Sequence, residues 1–156
     1  MGKSAGKPLI DLNHIAYIST ETTDISAIFG FCKDLIDCYE DISTIDYEKV
    51  LHWIKDKITK NISMYQCVAV DGIKVGYFCF DTTGSEAELD DLYILPEYRG
   101  MGVGTCIIKH CIQRSAKPIF LYVFSKNVGA IRLYSRMGFK IAETVGNTRL
   151  IMRRRG

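Results

Sequence analysis

Apolar positions recur at helical spacing in the first third of the chain and at strand spacing after it. Ile25, Ile28, Phe29, Cys32, Leu35 and Ile36 share one helical face behind Thr22-Thr23-Asp24, a capping sequence. Val50, Leu51, Ile54 and Ile58 mark the inner face of a second helix that starts near residues 44–46. From Met64 the period shortens. Residues 64–70 read as a strand, Asp71-Gly72 as a hairpin turn and residues 75–80 as the return strand. Residues 88–95 form another strand, ended by Pro96, and glycines at 100–104 open a helix that runs to Arg114. Residues 119–124 read as a buried strand. A helix over 127–137 stops at Gly138, and two short strands, 139–144 and 148–152, turn through Gly146-Asn147. With a first strand near residue 15, the order is strand, two helices, three strands, helix, strand, helix, two strands. It predicts an α/β (α+β) fold: a central mixed, mostly antiparallel sheet flanked by helices, with crossovers that make the later neighbours parallel.

The 156 residues suit one domain over 9–156, behind a loose tail at 1–8. The longest apolar run, residues 119–124, falls far short of the roughly 20 residues a spanning helix needs. No secretory pattern follows Met1, so a cytoplasmic protein away from membranes is expected. The six cysteines form no Cys-x-x-Cys pair. They read as small buried hydrophobes, with no metal site. The three histidines are scattered, His110 on an exposed helix face, and none is expected to be catalytic. Trp53 is expected in the core, and Arg153-Arg154-Arg155 as a solvated tail.

The net charge of +2 conceals a split. Residues 1–97 carry 8 basic and 17 acidic side chains, whereas residues 98–156 carry 12 basic side chains and only Glu143 as an acid. Such asymmetry points to charged partners. The basic half also holds Arg99-Gly100-Met101-Gly102-Val103-Gly104-Thr105, between a strand and a helix. Alternating glycines there bare successive backbone N–H groups at a positive helix end, which suits a phosphate or pyrophosphate. No Lys follows as in a Walker A loop. Thr105 stands where a dinucleotide fingerprint needs glycine, and no acid lies between Glu97 and Glu143.

The run from Leu92 to Thr105 resembles the acetyl-CoA motif of the GNAT N-acetyltransferase superfamily, with Arg99, Gly102 and Gly104 in its Arg/Gln-x-x-Gly-x-Gly/Ala positions. Asn127, Ala130 and Tyr134, followed by Met137-Gly138-Phe139, resemble the family's second signature at the expected separation. The resemblance implies the family's three-layer fold and transfer of an acetyl group from acetyl-CoA to a primary amine of a small molecule or protein, in a ternary complex. It implies that backbone groups of Leu92, Tyr93 and Ile94 pair with the pantetheine arm. The amides of Gly100, Met101, Gly102, Val103, Gly104 and Thr105 then hold the pyrophosphate. Asn127 also contacts the cofactor and Tyr134 is the acid for the departing thiolate. Main chain near Ile94 supplies the oxyanion donor.

The base is sought among the strand acids. Glu88 falls where histone-type members carry theirs, and it acts directly or through water. Strand alternation puts Glu88 and Asp90 on one face and Asp91 on the other. Tyr122 occupies the position at which ribosomal-protein alanine acetyltransferases carry a glutamate base, a departure from that subgroup. The acids of the first two helices (Asp37, Glu40, Asp41, Asp46 and Glu48) form either a mouth that favours a cationic acceptor or ordinary solvated helix ends. A non-catalytic CoA-binding module is the alternative reading. Nucleic acid is not expected as a partner, and a homodimer is compatible with the sequence.

Overall fold

The computed structural model describes residues 8–156; the first seven residues of the expected tail lie outside the described residues. Seven strands form one sheet: β1 (Ile15–Ser19), β2 (Tyr65–Val70), β3 (Ile73–Asp81), β4 (Ala87–Ile94), β5 (Ile119–Phe124), β6 (Lys140–Val145) and β7 (Arg149–Arg154), in the spatial order β1-β2-β3-β4-β5-β7-β6. Four helices flank it: α1 (Ile25–Tyr39), α2 (Tyr47–Lys60), α3 (Val103–Arg114) and α4 (Val128–Arg136).

Side-chain alternation in β2 and β3 feeds two cores. Cys67, Tyr77 and Cys79 join Ile28, Cys32 and Ile36 of α1 and Ile54 and Ile58 of α2 on one face. Val68, Val70, Val75 and Phe78 join Ile107, Ile108 and Cys111 of α3 on the other. The i, i+4 spacing of these helical positions dictates which stripe turns inward. Each fully buried Ile contributes about 1.5–3 kcal/mol. Asp46 starts α2 by accepting the Lys49 N–H at 3.2 Å.

Only β4 and β5 run parallel, joined by the α3 crossover. The crossover through α4 delivers β6 to the sheet edge, and β7 returns between β5 and β6, antiparallel to both. The later neighbours are therefore not parallel in general, as the crossovers had suggested. The β4–β5 pairing is also short, with register partners Ala87↔Ile119 and Glu88↔Phe120 and none beyond. The two strands then diverge and leave the β5-side edge of β4 without a strand partner.

The arginines expected as a tail lie largely within β7. Arg153 grips Glu86 through Nε at 2.6 Å, and the Arg154 Nε donates to the Met137 carbonyl at 3.1 Å. His110 is not on an open helix face. It stacks on Tyr17 at 3.7 Å between ring centroids.

Candidate active site

The divergence of β4 and β5 opens a cavity of about 770 Å³. Glu88, Asp90, Asp91 and Leu92 of β4 line it, with Asn127 and Tyr134 around α4 and Trp53 and Lys57 of α2. Cys32, Cys79 and Asp81 add to the wall, as do Tyr122 of β5 and Arg149 of β7.

Tyr134 is held by the turn after its helix. Gly138 adopts φ +91°, a left-handed conformation that glycine permits, and the Phe139 N–H returns to the Tyr134 carbonyl at 3.0 Å. This brings the Phe139 ring to 5.8 Å from that of Tyr134. Tyr134 is 7% exposed, yet its hydroxyl has no hydrogen-bond partner among the described residues and keeps access to the cavity. Burial pushes its phenol pKa up, and Asp90 adds to the effect, so at neutral pH it carries its proton. Asn127 caps α4 through its side chain, accepting the Ala130 N–H at 3.3 Å.

The glycine turn follows the end of β4, beyond the residues that line the cavity. Gly100 and Gly102 have φ of +73° and +89°. None of the main-chain N–H groups from residues 100–105 is taken by an acceptor among the described residues. Four successive donors at a helix start are what an anion meets there. Gly104 lets α3 approach its neighbours: a Cβ there would lie 2.7 Å from Leu133 Cδ2 and 3.3 Å from Ile94 Cδ1. Arg99 folds back on β4, its Nε donating to the Ile94 carbonyl at 2.9 Å and its guanidinium 5.0 Å from the centre of the Tyr93 ring. The turn is thereby tied to the end of β4. Of the sequence-predicted residues, Glu88, Leu92, Asn127 and Tyr134 line the cavity, whereas Tyr93 and Ile94 continue β4 beyond Leu92 and the glycine turn follows them.

The acids of β4 depart from simple alternation. Between Tyr77 and Cys79 of β3 one residue intervenes, whereas between their partners Tyr93 and Asp90 there are two. This bulge places Asp91 at φ +47° and turns it to the same side as Asp90, correcting the expectation that they face opposite ways. Lys57 Nζ reaches both, at 2.8 Å from Asp90 and 3.2 Å from Asp91, and the Tyr65 hydroxyl donates to Asp91. Burial and then Asp91 push the Asp90 carboxyl up, and Lys57 counters them. The Glu88 side chain, half-buried, has no hydrogen bond or ion pair with any described residue. Burial, then Asp90, raises its pKa.

Two further sequence readings are decided by the structure. Trp53 is 62% exposed and lines the cavity, with the Lys57 ammonium 5.7 Å from its ring centre. Of the helix acids only Glu40 reaches the cavity. Asp46 and Asp41 cap helical turns, and Asp37 is engaged by Lys33 and the Tyr47 hydroxyl at 2.7 and 2.6 Å. The negative charge at the cavity comes chiefly from the strands. Lys57 escaped the sequence reading because it borders the apolar stripe next to Ile58. Only the tertiary contact with β4 reveals it.

Comparison with known proteins places the fold and the family. The chain is 36% identical over 74 residues to the thialysine N-epsilon-acetyltransferase of Mus musculus, covering 44% of this chain and 44% of that enzyme. It is 38% identical over 65 residues to the spermine/spermidine N(1)-acetyltransferase of Bacillus subtilis, covering 38% of this chain and 43% of that enzyme. The matches therefore span less than half the length of either relative. The fold resembles that of the PaiA N-acetyltransferase of Thermoplasma acidophilum in complex with coenzyme A, with a TM-score of 0.69, 20% identity, and coverage of 91% of this chain and 99% of that one. A family model described as "Acetyltransferase (GNAT) family" matches residues 28–139, which carry both the glycine turn and the Asn127–Tyr134 helix, and the chain belongs to that family.

Proposed function

We propose that the protein transfers the acetyl group of acetyl-CoA to an amine, by direct attack within the notch between β4 and β5. The observation that carries this reading is the strand divergence beyond Glu88 and Phe120, with Tyr134 and Glu88 on its walls and unpaired amides in the turn that follows β4. The free edge of β4 at Leu92, Tyr93 and Ile94 receives the pantetheine arm as an added strand would. The amides of residues 100–105 hold the pyrophosphate at the start of α3. Asn127, its Oδ1 engaged in the cap, retains a side-chain amide to offer the arm.

The acceptor arrives as an ammonium and must lose a proton before it attacks. Glu88 receives that proton directly or through a water. Its raised pKa moves it from the ordinary carboxylate range towards that of an effective base. As the nitrogen adds to the thioester carbonyl, charge gathers on oxygen, and a main-chain N–H near Ile94 meets it. The intermediate collapses with loss of the CoA thiolate, which takes the Tyr134 proton, and the second proton leaving the nitrogen restores the phenol. Its raised pKa means that Tyr134 enters the reaction protonated, as a general acid must.

Five carboxylates line the cavity (Glu40, Asp81, Glu88, Asp90 and Asp91) against Lys57 and Arg149. That balance favours a cationic acceptor, and the names of the relatives, thialysine and spermidine, fit it. The test is thiol release from acetyl-CoA with spermidine, thialysine and a lysine peptide, alongside CoA binding. Turnover with one of them, lost in Tyr134→Phe, supports the enzyme. Tight CoA binding without turnover across the panel supports the non-catalytic module instead.

A further inference from the structure

Of the five cavity carboxylates, four are already engaged. Glu40 accepts the Asp41 N–H, and Asp81 accepts the N–H and hydroxyl of Thr83. Asp90 accepts from Lys57 at 2.8 Å and from the Asp91 N–H at 2.8 Å, and Asp91 is held by Lys57 and Tyr65. Glu88 alone has no partner among the described residues. Lys57 reaches this cluster from α2, a separate layer, and crosses to a bulge whose left-handed Asp91 is an uncommon conformation for a residue with a side chain.

We infer that Lys57 is a positioning residue for the acceptor site: by closing an ion triad with Asp90 and Asp91 it fixes the β4 bulge and leaves Glu88 as the one uncompensated carboxylate facing the incoming amine. Its cation bridges the two half-buried carboxylates that follow Glu88 on β4. With Lys57 present, one carboxylate is open to one ammonium at the point of reaction. Without it, Asp90 and Asp91 repel each other and burden Glu88. The charged or titratable groups around Glu88 are Asp90 and Asp91 of β4, Asp81 of β3, Lys57 of α2, Tyr134 of α4 and Arg149 of β7. Removing the Lys57 cation from this set raises the pH at which Glu88 ionises.

The mechanistic half of this inference rests on the proposed acetyl transfer, so the test includes a readout that needs no turnover. The Glu88 side-chain carboxyl is followed by carbon NMR titration, assigned by its loss in Glu88→Gln. In Lys57→Met its midpoint is expected to move up by about half a unit or more. Lys57→Arg should restore it, and Lys57→Met combined with Asp90→Asn, which removes one charge of each sign, should bring it back towards the wild-type value. The double variant also serves if Lys57→Met alone does not fold. The acid limb of the kcat/KM profile should move with the NMR midpoint. A Lys57→Met protein whose Glu88 titrates unchanged, whatever its melting temperature, overturns the inference, as does a double variant that keeps the single variant's midpoint. A moved midpoint with no amine acetylated would overturn the acetyl-transfer reading and leave the role of Lys57 standing.

Discussion

The two sides of the notch are built by different means. On the donor side the groups that matter are main-chain: the edge of β4 and the amides of residues 100–105, shaped by Gly100, Gly102 and Gly104. On the acceptor side they are side chains from α1, α2, six strands and α4, brought together across large separations in sequence. A site made of backbone needs a local conformation, and local conformation is written in a short run of residues. A site made of distant side chains needs the whole fold before it exists.

The sharpest way to break this comparison is to change one side and watch the other. Tyr134→Phe removes the proton for the thiolate and leaves the backbone cradle intact. It should lower kcat about 100-fold or more while the CoA dissociation constant, measured by calorimetry, stays as in the wild type. Glu88→Gln should lower kcat/KM for the amine about 30-fold at neutral pH. The wild-type profile has a sign that follows from the raised pKa of Glu88: activity falls as pH drops through that value, and the acid limb lies above the ordinary carboxylate range. In Glu88→Gln this limb should disappear.

A smaller effect is expected from the donor side. Gly102→Ala puts a side chain at φ +89°, with its Cβ 3.1 Å from Leu12 Cδ1, at a cost of about 1–2 kcal/mol. CoA should bind about tenfold more weakly by calorimetry, whereas the amine KM at saturating acetyl-CoA should not change. The smallest effect belongs to the acceptor rim. Trp53→Ala should raise the amine KM about threefold, with CoA affinity unchanged. Trp53 is the chain's single tryptophan, so its fluorescence should respond to spermidine in the wild-type protein.

This contrast explains what could be read in advance. The element order was legible because helical and strand periods alternate cleanly from Ile25 onward, and the glycine turn because its spacing has few uses. The bulge at Asp91 was not legible. Two adjacent acids on a strand read as one in and one out, and only the register against β3 shows that both turn towards Lys57. Trp53 was misread for a similar reason. An aromatic beside Ile54 looks like core, but the buried stripe of α2 runs through Ile54 and Ile58 and leaves the preceding positions, Trp53 and Lys57, at its edge. The acids of α1 and α2 were counted as a surface field, whereas several are spent on caps and local pairs.

The charge split takes on a structural form. Part of the basic excess after residue 97 is used inside the fold, Arg153 on Glu86 and Arg154 on the Met137 carbonyl. Of the acids before it, Asp81, Glu88, Asp90 and Asp91 of β3 and β4 line the cavity. In the proposed reaction, main-chain N–H groups would attract the anionic donor and the cavity carboxylates a cationic acceptor.

The most direct measurement is transfer of isotopically labelled acetyl from acetyl-CoA to spermidine, with the amine product detected by mass spectrometry for wild type and Tyr134→Phe at equal CoA occupancy. The expected result is labelled N-acetyl product from the wild type and about 100-fold less from the variant. Equal product from both, or none from a wild type that binds CoA tightly and is offered the full amine panel, would contradict the assignment of this notch as an acetyl-transfer site.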